Sequence, residues 1–220
     1  YNNSNEFSAE YVGDAHIVSS IDAPRAWRLF EAWLDWAPGE DESASIRVGL
    51  YDVNSEFDSI ETGGLFVNSA HGMGTDFSQS GLNGPSTFPV SSLTLRVRTD
   101  WGNGGYGQFA VLDGVPGDPD DPESNEIDLS GDDGALVVAE VGWSGNDWRK
   151  LALGAWVYTA DFTPLASPDG PEDDGNEGWY AIADRTVWRG ESTTMAAFLR
   201  IGQAEERYNP FDGYIGFGTS

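Results

Sequence analysis

The stretch LVVAEVGWSGNDWRKLALGAWVY at 136 to 158 decides the fold class. Apolar residues occupy alternate positions on both sides of WSGNDW, and a period of two is typical of β-strands. The glycine, asparagine and aspartate residues at its centre favour a tight turn. The stretch therefore predicts an antiparallel hairpin whose strands have one apolar face and one polar or aromatic face.

The same alternation recurs along most of the chain, whereas helical periodicity is nearly absent. The clearest further runs lie at 30 to 36, 46 to 50, 93 to 97 and 195 to 201, and weaker runs lie at 106 to 112, 179 to 188, 212 to 218 and 7 to 14. We therefore predict a single all-β domain over residues 1–220, with about nine or ten antiparallel strands.

Three long connections separate the runs, at 54 to 91, 114 to 133 and 160 to 177. Loops of this length are usually functional or disordered. The first contains four phenylalanines, which predicts that it packs against another part of the molecule. The other two are rich in aspartate and glutamate and are predicted to be solvated.

The composition excludes several functions. The 220 residues include 11 Lys and Arg against 37 Asp and Glu, a formal net charge of −26. Nucleic acids and anionic lipids are bound through Lys and Arg, so we predict no nucleic-acid partner and no general affinity for anionic lipid. The chain has no cysteine, and its two histidines, His16 and His71, are too few for most zinc sites. We predict no metal and no cofactor.

The face opposite each apolar run carries most of the informative side chains. It holds the basic residues Arg47, Arg96, Arg98, Lys150 and Arg200, the carboxylates Glu31, Asp35 and Glu140, and the aromatic residues Trp33, Trp156 and Tyr158. Most other carboxylates lie in loops. The charge is therefore segregated between strand faces with basic side chains and acidic loops.

Two architectures place apolar residues on one strand face and polar residues on the other. A water-soluble sandwich buries the apolar face against a second sheet, whereas an outer-membrane barrel turns that face to lipid and lines a lumen with the polar face. Most tryptophans lie at strand ends, as do Trp36, Trp101 and Trp188, where interfacial aromatic girdles occur. The strands also approach the roughly ten residues needed to cross an apolar band of about 25 Å at about 40°. Both features favour an antiparallel transmembrane β-barrel.

Several separated strings resemble the carbohydrate-selective porin family of Gram-negative bacteria, the OprB-like porins. They are IDAPRAWRLFEAWLDW at 21 to 36, IRVGLYDVNSEFD at 46 to 58, TDFSQSGLNGPSTFP at 75 to 89, FAVLDGVPGDPDDP at 109 to 122, LSGDDGALVVAEVGW at 129 to 143, KLALGAWVYTADF at 150 to 162, GWYAIADRTVW at 178 to 188 and FLRIGQAEERYNPFDGYIGFG at 198 to 218. These strings cover nearly the whole chain in order. They are specific for the family and weakly informative about the substrate.

The resemblance implies a sixteen-stranded barrel in the outer membrane of a Gram-negative bacterium, with an aqueous channel that passes sugars passively and is narrowed by inward-folded loops. With about nine or ten strands, the chain is interpreted as an internal or C-terminally truncated part of such a barrel, because an open sheet edge cannot persist in lipid. The competing interpretation is a complete ten-stranded barrel, which would leave little room for a sugar. The implied partners are small neutral sugars and outer-membrane lipid, and assembly into a homo-oligomer is left open.

A sugar channel needs groups that hydrogen-bond hydroxyls, aromatic faces for the rings, and binding weak enough for release. The strand residues named above are therefore predicted to line the channel. The alternative is that their charges pair and keep the lumen hydrated, and that Trp33, Trp156 and Tyr158 pack against neighbours. The loop at 54 to 91 is predicted to form the constriction, with an external loop as the alternative. Its candidate polar groups are Asn68, His71, Asp76, Ser78, Gln79 and Asn83.

No catalytic constellation is predicted. GNGGYG at 102 to 107 matches G-x-G-x-x-G, but a strand follows it rather than the helix that would hold a pyrophosphate. Glu31 and Asp35 would lie about 13 Å apart along a strand, farther than paired glycosidase carboxylates. The acidic segment at 118 to 133 lacks the spacing of a calcium loop and is predicted to be solvated. The second candidate function is a soluble Trp-rich β-sandwich that binds or hydrolyses polysaccharide.

Overall fold

The computed structural model describes residues 7–13, 16–19, 22–23, 26–39, 42–124 and 133–220. These residues form one antiparallel sheet in which each strand pairs with its neighbours in sequence order. The strands are β1 (Ala32–Trp36), β2 (Ala44–Tyr51), β3 (Ser92–Asp100), β4 (Gly105–Asp113), β5 (Ala135–Gly145), β6 (Trp148–Tyr158), β7 (Glu177–Arg189), β8 (Thr194–Ala204) and β9 (Gly213–Thr219). Strands β1 and β9 are the two edges, so the described part of the sheet is open.

The hairpin predicted from residues 136 to 158 corresponds to β5 and β6. Asn146 in the turn between them has a φ of 54°, a left-handed conformation that asparagine tolerates and that two-residue hairpin turns require. The weak strand prediction at 7 to 14 is wrong where the structure describes it, because Ser8–Val12 form a short π-helix. Phe7 and Tyr11 stack with ring centroids 5.8 Å apart, a contact between residues four apart that helical geometry permits and a strand does not.

The connections differ at the two ends of the sheet. At the short-turn end they span 37–43, 101–104, 146–147 and 190–193, and at the long-loop end they span 52–91, 114–134, 159–176 and 205–212. The acidic segment predicted to be solvated belongs to the long-loop end, and its residues 125–132 lie outside the described ranges.

One face of the sheet is apolar and exposed. Leu153, Ile215 and Phe217 on this face are 55%, 70% and 74% exposed. The opposite face, here called the polar face, holds Arg96 and Arg200, whose exposure is 1% and 0%. A water-soluble sandwich would bury the apolar face against a second sheet, so the sandwich alternative is wrong. An apolar face directed outwards is the arrangement expected of strands in contact with lipid.

Residues 52–91, here called the inward loop, fold over the polar face. The loop contains the 3₁₀ turns Val53–Ser55, Gly63–Leu65 and Ser69–His71 and one turn of α-helix, Thr75–Ser78. In the described ranges no helix has both the length and the hydropathy to cross a membrane.

The hydrophobic core lies between the inward loop and the polar face. Phe57 and Phe77 of the loop are fully buried. The ring of Phe77 stacks on Trp156 of β6 with a centroid distance of 5.1 Å and an angle of 9°. Leu136 and Val138 of β5 are also fully buried in this core. The loop therefore packs through its phenylalanines, as the sequence predicts, and its position is fixed by side chains from several strands.

Candidate functional site

Aromatic side chains on the polar face lie across glycines of neighbouring strands. Tyr106 pairs with Gly142 and Tyr180 pairs with Gly154. A Cβ added at Gly154 would lie 2.1 Å from Cζ of Tyr180, so no larger residue fits beneath that ring. Both tyrosines thus lie along the sheet instead of projecting away from it, and their hydroxyls converge on Glu140 from opposite sides.

Glu140 of β5 is a buried carboxylate that accepts hydrogen bonds from side chains of neighbouring strands and from the backbone of the inward loop. Its donors are the hydroxyls of Tyr106 and Tyr180 at 2.8 Å each, Nε2 of Gln108 at 3.0 Å, Nζ of Lys150 at 3.0 Å and the backbone N–H of Asp58 at 3.1 Å. A buried charge is tolerated when several hydrogen bonds replace its hydration. Glu140 therefore joins strands β4 to β7 to the inward loop.

Arg200 of β8 makes a fully buried contact with the inward loop. Its Nη2 lies 2.8 Å from Oδ2 of Asp58, its Nε donates to Oδ1 of Asp58 at 3.1 Å, and its Nη1 pairs with Asp76. All three side chains are fully buried. We call these residues the buried anchor. Detachment of the loop would separate these partners and leave an uncompensated charge in the core, so the anchor opposes detachment.

Burial also affects the protonation of the anchor. It raises the pKa of the Asp58 carboxyl to about 6, while the Arg200 guanidinium lowers it and the neighbouring Asp76 and Glu140 carboxylates add to the rise. Burial likewise raises the pKa of Asp76, with Arg200 acting in the opposite direction. Two loop carboxylates thus share one guanidinium.

Two further contacts attach the inward loop to the sheet. Asp184 of β7 accepts from the backbone N–H of Thr62 at 3.0 Å and from its hydroxyl at 2.6 Å. Arg96 of β3 donates through Nε and Nη2 to the two oxygens of Glu56, at 2.8 and 3.1 Å. The loop is therefore held by charged or hydrogen-bonded side chains from strands β3, β5, β7 and β8.

A second group of charges lies near the short-turn end and remains partly exposed. We call it the open charge cluster, and it consists of Trp33, Asp35, Arg47, Glu56 and Arg98. The guanidinium of Arg47 lies 3.9 Å from the Trp33 ring centre and 2.6 Å from Asp35. The side chain of Arg98 is 26% exposed, and it binds Asp100 at 2.8 Å. This cluster can present both charges and an aromatic edge to water.

The other strand residues predicted to line the channel lie in different parts of the structure. Lys150 donates to the backbone oxygen of Glu56 at 3.1 Å and pairs with Glu140. Glu31 accepts a hydrogen bond from the backbone N–H of Asp52 at 3.1 Å. Trp156 is 2% exposed with one ring face covered by Phe77, and Tyr158 packs edge-on against it. Both rings are thus part of the core described above.

The six loop residues predicted for the constriction lie in three different places. Asn68, Ser78, Gln79 and Asn83 line a cavity of about 520 Å³. Asp76 belongs to the buried anchor. The His71 ring lies within 5.0 Å of the Phe66 ring and 5.9 Å of the Phe198 ring, measured between centroids.

Several residues of the anchoring contacts are absent from the sequence-based set. They are Glu56, Asp58, Tyr106, Gln108, Tyr180 and Asp184. The sequence could have identified four of them, because they lie at even spacing along two strands. Tyr106 and Gln108 are two apart in β4, and Tyr180 and Asp184 are four apart in β7, so each pair shares the polar face. Glu56 and Asp58 carry no such signal, since they lie in a loop.

Comparisons with known proteins agree with the fold and identify the family of the chain. A solved structure of Pseudomonas putida OprB, described as a high-pH structure, matches with a TM-score of 0.74 and 20% identity over 92% of this chain. That match covers 51% of the solved chain, so this chain spans about half its length. The likeness confirms the predicted antiparallel barrel fold.

No curated protein sequence matches the chain. The model of the carbohydrate-selective porin, OprB family, matches residues 2–220. Members of this family are outer-membrane channels of Gram-negative bacteria and are not enzymes. Because the matched region is nearly the full chain, the sequence belongs to the OprB family of carbohydrate-selective porins.

Proposed function

We propose that the chain forms part of an outer-membrane channel through which small neutral sugars diffuse passively. The observation that carries the proposal is the inward loop clamped to the polar face by the buried anchor. A loop held across the interior of a barrel reduces the cross-section available to solutes. An exposed apolar face on the opposite side supports a position in lipid.

The open charge cluster supplies the chemistry that a sugar path requires. Arg47 and Arg98 offer guanidinium donors, and Asp35 and Glu56 offer acceptors, so hydroxyl groups can exchange water for protein hydrogen bonds. Trp33 is 42% exposed and provides an aromatic surface beside these groups. Because these side chains are partly exposed to water, a sugar would bind them weakly and could leave on the other side of the channel.

In this account the basic strand residues have two roles. Arg200 and Arg96 hold the inward loop, whereas Arg47 and Arg98 line the water-filled path. Glu140 and Lys150 hydrogen-bond the backbone of the inward loop from the polar face of the sheet. The charge of each pair is largely compensated locally, so the path suits uncharged solutes with many hydroxyls.

The test uses the full-length protein reconstituted in liposomes. We expect swelling in isosmotic neutral sugars at a rate that falls with sugar size and does not depend on an ion gradient. Protein-free liposomes are the control. Absence of swelling, or extraction of the native protein from cells without detergent, would contradict the proposal.

A further inference from the structure

Arg185 of β7 lies on the apolar face of the sheet, close to the short-turn end. Along the strand it follows Ala181 and Ala183 on this face, whereas Ile182 and Asp184 point to the polar face. Its side chain is exposed. The chain carries 37 Asp and Glu residues, yet Arg185 is the one basic residue of the described ranges that has neither an ion pair nor a hydrogen bond within the protein.

Aromatic side chains surround the guanidinium of Arg185. The guanidinium lies 5.3 Å from the ring centre of Trp148, the residue opposite Arg185 on β6. Trp188, which is 54% exposed, lies near the same end of β7. Tryptophans at the border of an apolar membrane face lie at the level of the lipid headgroups. Arg185 is therefore placed at the depth where lipid phosphates occur.

The surface between Arg185 and the middle of the sheet is apolar. Leu151 of β6 and Leu199 of β8 flank Ala183, and each leucine is 47% exposed. In a protein of an outer-membrane family, these side chains contact acyl chains. A lipid whose headgroup lies at Arg185 would extend its chains over them.

On the other side of Arg185, towards the short turns, an acidic side chain follows. Asp147 precedes Trp148, and its backbone oxygen accepts from the N–H of Thr186 at 2.7 Å, which places it beside Arg185. The Asp147 carboxylate pairs with Arg189 at 3.3 Å, but both side chains are more than half exposed, so the pair is weak and accessible. From the middle of the apolar face outwards, the order is apolar side chains, a cation and an anion.

We propose that this end of the apolar face binds the headgroup of a zwitterionic aminophospholipid such as phosphatidylethanolamine. This lipid carries acyl chains, a phosphate and an ammonium in the same order, so each of its charges meets the opposite charge. The Arg185 guanidinium donates to phosphate oxygens, and the Asp147 carboxylate accepts from the ammonium. An anionic phospholipid lacks the ammonium and would meet Asp147 unfavourably. The site attaches β6 and β7 to the membrane surface and does not depend on sugar passage.

The test measures lipid binding to the full-length protein in detergent by native mass spectrometry, with phosphatidylethanolamine or phosphatidylglycerol of identical acyl chains. We expect phosphatidylethanolamine to bind wild type more tightly. Arg185→Gln should raise its apparent Kd by about tenfold, the lower range for loss of a hydrogen bond to a charged group. Arg207→Gln, which changes an exposed arginine of the 205–212 loop, is the matched control and should keep the wild-type value.

A second variant tests the contact with the ammonium. Asp147→Asn combined with Arg189→Gln removes the exposed ion pair and leaves the net charge unchanged. This double variant should bind the two lipids with similar affinity, because only their shared phosphate is still recognised. A preference for phosphatidylethanolamine as large as that of wild type would overturn the assignment of an aminophospholipid.

The other outcomes separate the lipid site from the channel. Wild-type affinity in Arg185→Gln, an equal loss in Arg207→Gln, or phosphatidylglycerol that binds wild type as tightly as phosphatidylethanolamine would each overturn the site. Arg185→Gln should support liposome swelling in sugars at the wild-type rate, which shows that the variant is folded. Wild-type protein that binds the lipid as expected but supports no swelling would refute the proposed function and leave the lipid site standing.

Discussion

Arg200 and Arg98 lie on the same face of the same sheet, and their environments are opposite. The side chain of Arg200 is fully buried between Asp58 and Asp76 of the inward loop. The side chain of Arg98 is 26% exposed, and its partners Asp100 and Gln108 belong to its own strand and the next. The strand pattern is the same for both residues. Coverage by the inward loop therefore decides which arginine holds the structure together and which can contact solutes.

The largest effect is expected from Arg200→Met, which keeps the bulk of the side chain and removes the charge. Loss of one partner of a buried ion pair costs about 3–5 kcal/mol, because the other charge is left unpaired. We expect the inward loop to detach, measured as loss of amide-exchange protection around Asp58 and Phe77 and as an increased single-channel conductance.

A combined variant tests whether the unpaired charges cause the loop to detach in Arg200→Met. Adding Asp58→Asn and Asp76→Asn to Arg200→Met removes the unpaired carboxylates and should restore part of the protection. If the combined variant protects the loop no better than Arg200→Met alone, the buried anchor does not act through its charges.

The next effect is expected from Glu140→Gln, which preserves shape and removes the negative charge. Hydrogen bonds to charged groups contribute about 1.5–3 kcal/mol, and Glu140 accepts from the inward loop at the Asp58 N–H. Amide exchange at Asp58 should accelerate less than in Arg200→Met. An amide-exchange rate at Asp58 equal to that of wild type would show that attachment of the inward loop does not depend on the charge of Glu140.

A smaller effect is expected from Gly154→Ala, which forces a methyl group into the space of the Tyr180 ring. Overpacking of this kind costs about 1–3 kcal/mol and would move the Tyr180 hydroxyl away from Glu140 and Asp58. The thermal unfolding midpoint in detergent should fall. Gly64→Ala is the control, since a Cβ there meets no atom within 4 Å. Equal midpoints for the two variants would contradict the expectation.

The smallest effect on stability is expected from Arg98→Gln. A partly exposed ion pair contributes about 0–1 kcal/mol, so the folded protein and the inward loop should be unchanged. Because Arg98 is proposed to line the path, loss of its positive charge should instead shift the reversal potential in a salt gradient towards greater cation selectivity. An unchanged reversal potential would remove Arg98 from the lining of the path.

The sequence predicts much of the fold and less of the site. Alternation identifies the strands and assigns Arg96, Glu140 and Arg200 to one face, because side-chain direction in a strand follows from position alone. It cannot predict that Asp58 pairs with Arg200, since the two residues are 142 positions apart and one lies in an irregular loop. Trp156 illustrates the same limit, because its position on the polar face predicts a channel surface while Phe77 of the loop covers it.

The most direct test of the loop's role is the size limit for neutral sugars in liposome swelling, compared between full-length wild type, Arg200→Met and Arg98→Gln. If the anchored loop sets the constriction, Arg200→Met should admit larger oligosaccharides than wild type, and Arg98→Gln should keep the wild-type size limit. The same size limit in all three proteins, or an equal increase in both variants, would contradict the account.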